Sequence, residues 1–86
     1  MKTKTLQKSN GGSAFLDFFT FIGDLNLYNK YLINNRNYLV ECAKIDKFIA
    51  KVNEDEFLIV YNDLPHTAGF GIMKDGEIIC KHIIIG

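Results

Sequence analysis

The stretch Ile49-Ala50-Lys51-Val52-Asn53-Glu54-Asp55-Glu56-Phe57-Leu58-Ile59-Val60-Tyr61 decides how the chain is read. Apolar, β-forming residues stand on both sides of a polar tetrad. The runs Phe48 to Val52 and Phe57 to Tyr61 alternate with a period of two, and Asn53 to Glu56 is the right length for a hairpin connection. Two antiparallel strands are therefore expected here. The same logic runs on downstream. Asn62 to Pro65 reads as a turn, and Thr67 to Met73 reads as a strand despite Gly69 and Gly71. Lys74-Asp75-Gly76 turns the chain again, Asp-Gly being the strongest short hairpin signal present, and Glu77 to Ile85 closes with a long strand.

Upstream of the tetrad the period changes to that of a helix. Leu39, Cys42, Ala43 and Ile45 recur at three and four, which predicts a helix from about Asn37 to Lys47. Leu25, Tyr28, Tyr31 and Leu32 predict another over Asp24 to Asn35, with Asp24 at the N-cap. Phe15 to Ile22 is short, aromatic and bounded by glycines, so a buried strand is expected at about Phe18 to Gly23. Residues 1–13 are polar and end in Ser9-Asn10-Gly11-Gly12-Ser13. They read as a flexible lead-in that frays or covers a sheet edge. The order is strand, helix, helix, hairpin, hairpin. The expected class is α+β: a small antiparallel sheet of about five strands, with two helices mainly on one face.

Composition narrows what such a domain does. The chain has 86 residues, ten Lys and Arg against ten Asp and Glu, 48% hydrophobic residues and one proline. That length holds one small domain, with residues 14–86 as its body. Zero net charge removes the electrostatic footprint of a nucleic-acid binder. Two cysteines, Cys42 and Cys80, lie far apart in apolar runs and lack metal-ligand spacing. They read as two reduced thiols of a cytoplasmic protein rather than a secreted disulfide framework. No apolar run reaches the roughly 18 residues of a membrane span. Asp17 interrupts the apolar run that follows Lys2 and Lys4, which speaks against a signal peptide.

Four segments together resemble GGDEF domains, the nucleotidyl-cyclase palms that make cyclic di-GMP. The stretch 49–61 is similar to their signature hairpin, with Asp55, Glu56 and Phe57 matching and Asn53 and Glu54 in place of two glycines. Phe18 to Gly23 with Asp24-Leu25-Asn26-Leu27-Tyr28 resembles the family's first strand and its Asp-x-Asp-x-Phe segment. Tyr38 to Ile45 is similar to the helix before the hairpin, and Thr67-Ala68-Gly69-Phe70-Gly71-Ile72 to a later strand. The resemblance covers Phe18 to Met73 and implies a palm, ferredoxin-like fold. It also implies a metal-site remnant made of Asp24, Asp55 and Glu56, with Mg2+ or Mn2+ as the ion. A palm cyclase holds divalent metal over a triphosphate with carboxylates from adjacent strands.

Several departures turn that expectation from catalysis towards binding. The paired glycines let backbone close on phosphates, and Glu54 puts bulk and negative charge in their place. The helix after the hairpin is missing, and a second hairpin replaces the late helix. What remains is a truncated, degenerate module. Such a module would act by protein binding or self-association in nucleotide signalling, with a nucleotide as a further partner. The first alternative is an active metal-dependent nucleotidyl cyclase or transferase. The second is a small inhibitor or regulatory protein of a mobile element, unrelated to GGDEF domains.

Plainer readings accompany each candidate. Asn53 to Glu56 also reads as a solvated turn and Asp24 as a simple cap. His66 reads as a loop histidine, His82 as a core-edge histidine, and Tyr28, Tyr31 and Tyr38 as core-edge aromatics. The last strand says more: Ile79, Ile83 and Ile85 share one face with Lys81, and Ile78, Cys80 and Ile84 share the other. Two apolar faces call for cover on both, and two helices cover one. A second copy or a partner protein is expected on the other.

Overall fold

Helix formation at the N-terminal end rests on two punctuating residues and one stripe. The computed structural model describes residues 1–7 and 10–86, so the part of the expected lead-in at positions 8 and 9 lies outside the described residues. Asn10 caps helix α1, Gly11–Ile22, by accepting the Ser13 N–H at 2.8 Å. Gly23 ends it with a left-handed φ of 77°, and its N–H donates to the Phe19 carbonyl at 3.0 Å. Between these caps Ala14, Phe15, Phe18 and Phe19 are fully buried. That spacing is the stripe of an amphipathic helix. The strand expected at Phe18 to Gly23 is therefore helical, and its bounding glycines belong to helix ends.

Two more helices follow. Asp24 accepts the Leu27 N–H at 3.1 Å and opens α2, Leu25–Ile33. Asn34 ends α2 and caps α3, Asn35–Ile49. The expected helices at 24–35 and 37–47 are both present. The second runs on through Phe48 and Ile49, which continue the spacing of Ile45. Its extension removes the expected strand at Phe48 to Val52, so the tetrad Asn53 to Glu56 joins a helix to a strand and is no hairpin turn. The described residues thus form three helices where two were expected.

Among the described residues the sheet has four strands rather than about five: β1 Lys2–Thr5, β2 Phe57–Asp63, β3 Thr67–Lys74 and β4 Glu77–Ile85. All neighbours are antiparallel, in the order β1-β2-β3-β4. The first strand arises from the expected lead-in, pairing Thr3 with Tyr61 and Thr5 with Ile59. Leu6, just beyond it, is buried and donates its N–H to the Leu58 carbonyl at 2.8 Å. Residues 2–5 are thus the edge strand itself, and Gly11 to Ser13, expected as the end of a flexible lead-in, form the first turn of α1. The β3–β4 turn has positive φ at Asp75 (52°) and Gly76 (80°), the primed geometry that Asp-Gly favours.

The helices cover one face of this sheet. Leu58, Val60, Ala68, Phe70 and Ile72 point inward and form one core with Phe15, Phe18, Phe19, Ile45 and Phe48. A glycine makes the closest helix packing possible. A Cβ on Gly11 would overlap the Cys42 carbonyl oxygen of α3 and lie 3.0 Å from its carbonyl carbon. Asp46 of α3 accepts the Gly11 N–H, so the start of α1 is seated on the backbone of α3. The observed class is α+β with a four-stranded antiparallel sheet; the five-stranded palm order is not what this topology shows.

Candidate functional site

The three carboxylates expected to hold metal sit at two junctions of the fold. Asp24 is the N-cap between α1 and α2, and its Oδ1 accepts from the Leu27 N–H. Asp55 and Glu56 share the connection between α3 and β2. Asp55 pairs with Lys74 at 3.3 Å, both groups exposed. Glu56 accepts the Asn53 N–H at 2.9 Å and closes that turn. Each carboxylate thus has a structural partner, and Asp24 does not stand at a strand end beside a hairpin. Among the described residues no three His, Cys, Asp or Glu side chains are grouped to hold one ion. These residues fit the implied Mg2+ or Mn2+ poorly, and no chemical step is drawn through one.

The remaining chemistry-bearing side chains are mostly structural in what they touch. His66 is exposed, and its N–H closes the β2–β3 turn on the Asp63 carbonyl at 2.9 Å. Tyr28, Tyr31 and Tyr38 ring the buried Phe15, with centroid distances of 6.0, 5.0 and 6.0 Å. The Tyr38 hydroxyl is hydrogen-bonded with Tyr28 and Cys42, which pushes its pKa up to about 12. Burial pushes the Cys42 thiol up as well, so it stays protonated and a weak nucleophile. Burial, then the nearby Glu41 carboxylate, raises Tyr31. A depression of about 230 Å³ between α2 and α3 is lined by Leu27, Lys30, Tyr31 and Asn37. It is below the usual range of about 300–1,000 Å³ for small-molecule sites.

His82 lies on the helix-facing side of β4, as a core-edge residue. Its ring packs on Phe48 at 5.8 Å, and its Nε2 is 3.6 Å from Glu41 Oε2 of α3. Both atoms are sealed from solvent and form no hydrogen bond. Glu41 also reaches Lys44 at 3.7 Å through its other oxygen. The contact ties the edge strand to α3 and presents nothing to a ligand.

The opposite face of the sheet is different in kind. Strand alternation and the register put Phe57, Met73, Ile78, Ile79, Lys81 and Ile83 on it. A bulge opposite Ile72 and Met73 sends both Ile78 and Ile79 to this side. Phe57 is 61% exposed and Ile79 and Ile83 are each 53% exposed. No element covers this face among the described residues, and β4 pairs only with β3, leaving its other side open. Ile59 and Tyr61 on the same face are nonetheless buried. Gly71 leaves room for Ile59 and Ile78, whose side chains come within 3.1 and 3.3 Å of where its Cβ would be. The ammonium of Lys81 lies 5.0 Å from the Tyr61 ring centroid, across the side-chain-free Gly69 and Gly71 of β3.

The sequence pointed to the exposed isoleucines of the last strand but not to Phe57, which the hairpin reading tied to a catalytic signature. The chain matches no family model, no curated protein and no solved structure. No helix is long and apolar enough to cross a membrane among the described residues.

Proposed function

We propose that this chain works by binding protein rather than by catalysis, and that the binding element is β4 with the sheet face beside it. One observation carries the reading. Among the described residues a nine-residue strand is left unpaired along one side, while Ile79 and Ile83 stand more than half exposed on it. Long apolar edges are templates for another chain and are usually blunted or covered. The test is a photo-reactive side chain at position 83, with position 47 on α3 as control. Protein adducts from position 83 alone are expected; their absence overturns the reading.

Descent from a GGDEF-like palm, degenerate or active, is a second reading. It is supported by Asp55-Glu56-Phe57 leading into β2 and by the strand Thr67–Lys74. The helix at Gly11–Ile22 and the helical end of α3 at Phe48 and Ile49 weigh against it, because the resemblance implies strands at Phe18 to Gly23 and Phe48 to Val52. Calorimetric titration with GTP and cyclic di-GMP in magnesium or manganese decides it. Heat of binding lost in Asp24→Ala or Asp55→Ala would support it, and silence with all ligands would end it.

A further inference from the structure

We infer that the occupant of the β4 edge is a second copy of this chain, paired antiparallel about a two-fold axis near Lys81; the inference rests on the protein-binding reading above. Three observations favour a copy over an unrelated strand. First, antiparallel pairing centred on position 81 sets Ile79 of each copy opposite Ile83 of the partner, twice, on the exposed face. An isologous contact needs such self-complementarity.

Second, charge does not oppose it. The chain is net neutral, and β4 carries one acid, Glu77, and one base, Lys81, so two copies approach without overall repulsion. Third, the residue that would guard this edge is turned away from it. A lysine in mid-strand normally protects an open edge by pointing its charge there. Here the Lys81 ammonium lies over Tyr61, on the strand beyond β3. Paired through β4, the two ammonium groups, each drawn back by about one strand spacing of 4.8 Å, would be on the order of 15 Å apart. That exceeds the screening length of about 8 Å at physiological salt, so they would not repel. The other edge differs: β1 is four residues long, exposed, and carries Lys2 and Lys4.

One strand pair buries less than the roughly 800 Å² per partner of a standard interface, about 15% of the chain's 5444 Å² surface. A weak, reversible dimer is the expectation, with half-association at about 10–100 µM.

Sedimentation velocity of the full chain over about 10–500 µM tests it, with circular dichroism confirming each variant's fold. Wild type should shift from monomer to dimer, and Ile83→Lys should weaken that by about tenfold or more. The register is tested by trapping. In a Cys42→Ser, Cys80→Ser background, Ile79→Cys and Ile83→Cys chains should form a disulfide-linked dimer when mixed and oxidised. Neither should do so alone, because like positions would be about 13 Å out of register. A monomer at every concentration overturns the inference, as does a dimer that the mixed cysteines fail to trap. A monomer whose position-83 probe labels a different protein overturns the second copy but keeps the binding reading. A chain that does neither loses both.

Discussion

Replacing Gly11 with alanine tests the placement of the first helix more sharply than any core truncation. A Cβ at this position overlaps the Cys42 carbonyl oxygen and lies 3.0 Å from the carbonyl carbon and 3.1 Å from Asp46 Cγ. The first two are backbone atoms in the middle of α3, so the methyl group fits only if two helices separate. Overpacking of this kind costs about 1–3 kcal/mol. Moving α1 also stretches the Gly11–Asp46 hydrogen bond, adding about 1 kcal/mol at a helix start. The expected loss is about 2–4 kcal/mol, which at about 4–8 °C per kcal/mol for a domain this size lowers Tm by roughly 10–30 °C. The next residue supplies the control. A Cβ on Gly12 would sit 3.4 Å from Asn10 Oδ1 and from the Tyr38 hydroxyl, an ordinary contact. Gly12→Ala should be neutral or gain up to about 1 kcal/mol of helix propensity. Urea unfolding followed by circular dichroism reads both. A Gly11→Ala loss below about 0.5 kcal/mol, or equal losses for both variants, would refute the α1–α3 seating.

Other tests follow from single contacts. Asp46→Asn should cost about 0.5–2 kcal/mol in the same unfolding assay by weakening the acceptor at the start of α1. His82→Phe should be neutral or stabilising, because it keeps the ring contact with Phe48 and removes a sealed nitrogen without a hydrogen bond; a loss above about 2 kcal/mol would show that the Glu41 contact matters more than its 3.6 Å length suggests. Tyr38 should ionise near 12, against a normal value of 10, in an ultraviolet titration of the tyrosines. Because the folded chain then holds that proton more tightly than the unfolded one, stability should fall as pH rises from 10 towards 12, and Tyr38→Phe should lessen the fall.

Legibility in the sequence followed how local the deciding forces are. The three strands after Phe57 were readable because alternation, turn residues and length agree, and the Asp75-Gly76 turn has the positive φ values its sequence predicts. The helices at Leu25–Ile33 and Asn35–Ile49 were readable from spacing and from Asp24 as a cap. Phe15 to Ile22 is helical although its aromatic density favours a strand. Ala14, Phe15, Phe18 and Phe19 carry helical spacing, and Asn10 and Gly23 were available as caps. Strand β1 was scarcely readable: Lys-Thr-Lys-Thr is exposed throughout and owes its conformation to pairing with β2. Of the candidate site, the acids were visible but their partners were not. Nothing local tells that Asp55 meets Lys74 or that the Glu56 side chain folds back on Asn53.

The expectation that both faces of the last strand need cover changes meaning once the sheet is seen whole. If the outer face were simply a core surface missing its second layer, its central residues would be the exposed ones. The reverse is found. Ile59 and Tyr61 on β2 are buried at 1% and 0% without any described helix above them, while exposure lies at the rim, at Phe57 where β2 begins and at Ile79 and Ile83 on β4. Lys81 and Ile78 shield the centre of this face, helped by the missing side chains at Gly69 and Gly71. The centre therefore needs no partner, and the demand is strongest along the β4 edge, where exposed isoleucines and backbone unpaired among the described residues coincide. An edge is met by backbone pairing, which tolerates variation in the partner's side chains, whereas a bare sheet face calls for a fitted apolar layer. This difference can be measured. If the edge is what associates, the unpaired amides of β4 should gain protection from hydrogen exchange as concentration rises, while those of β1 should not. Equal protection of both edges would point instead to stacking over the whole face.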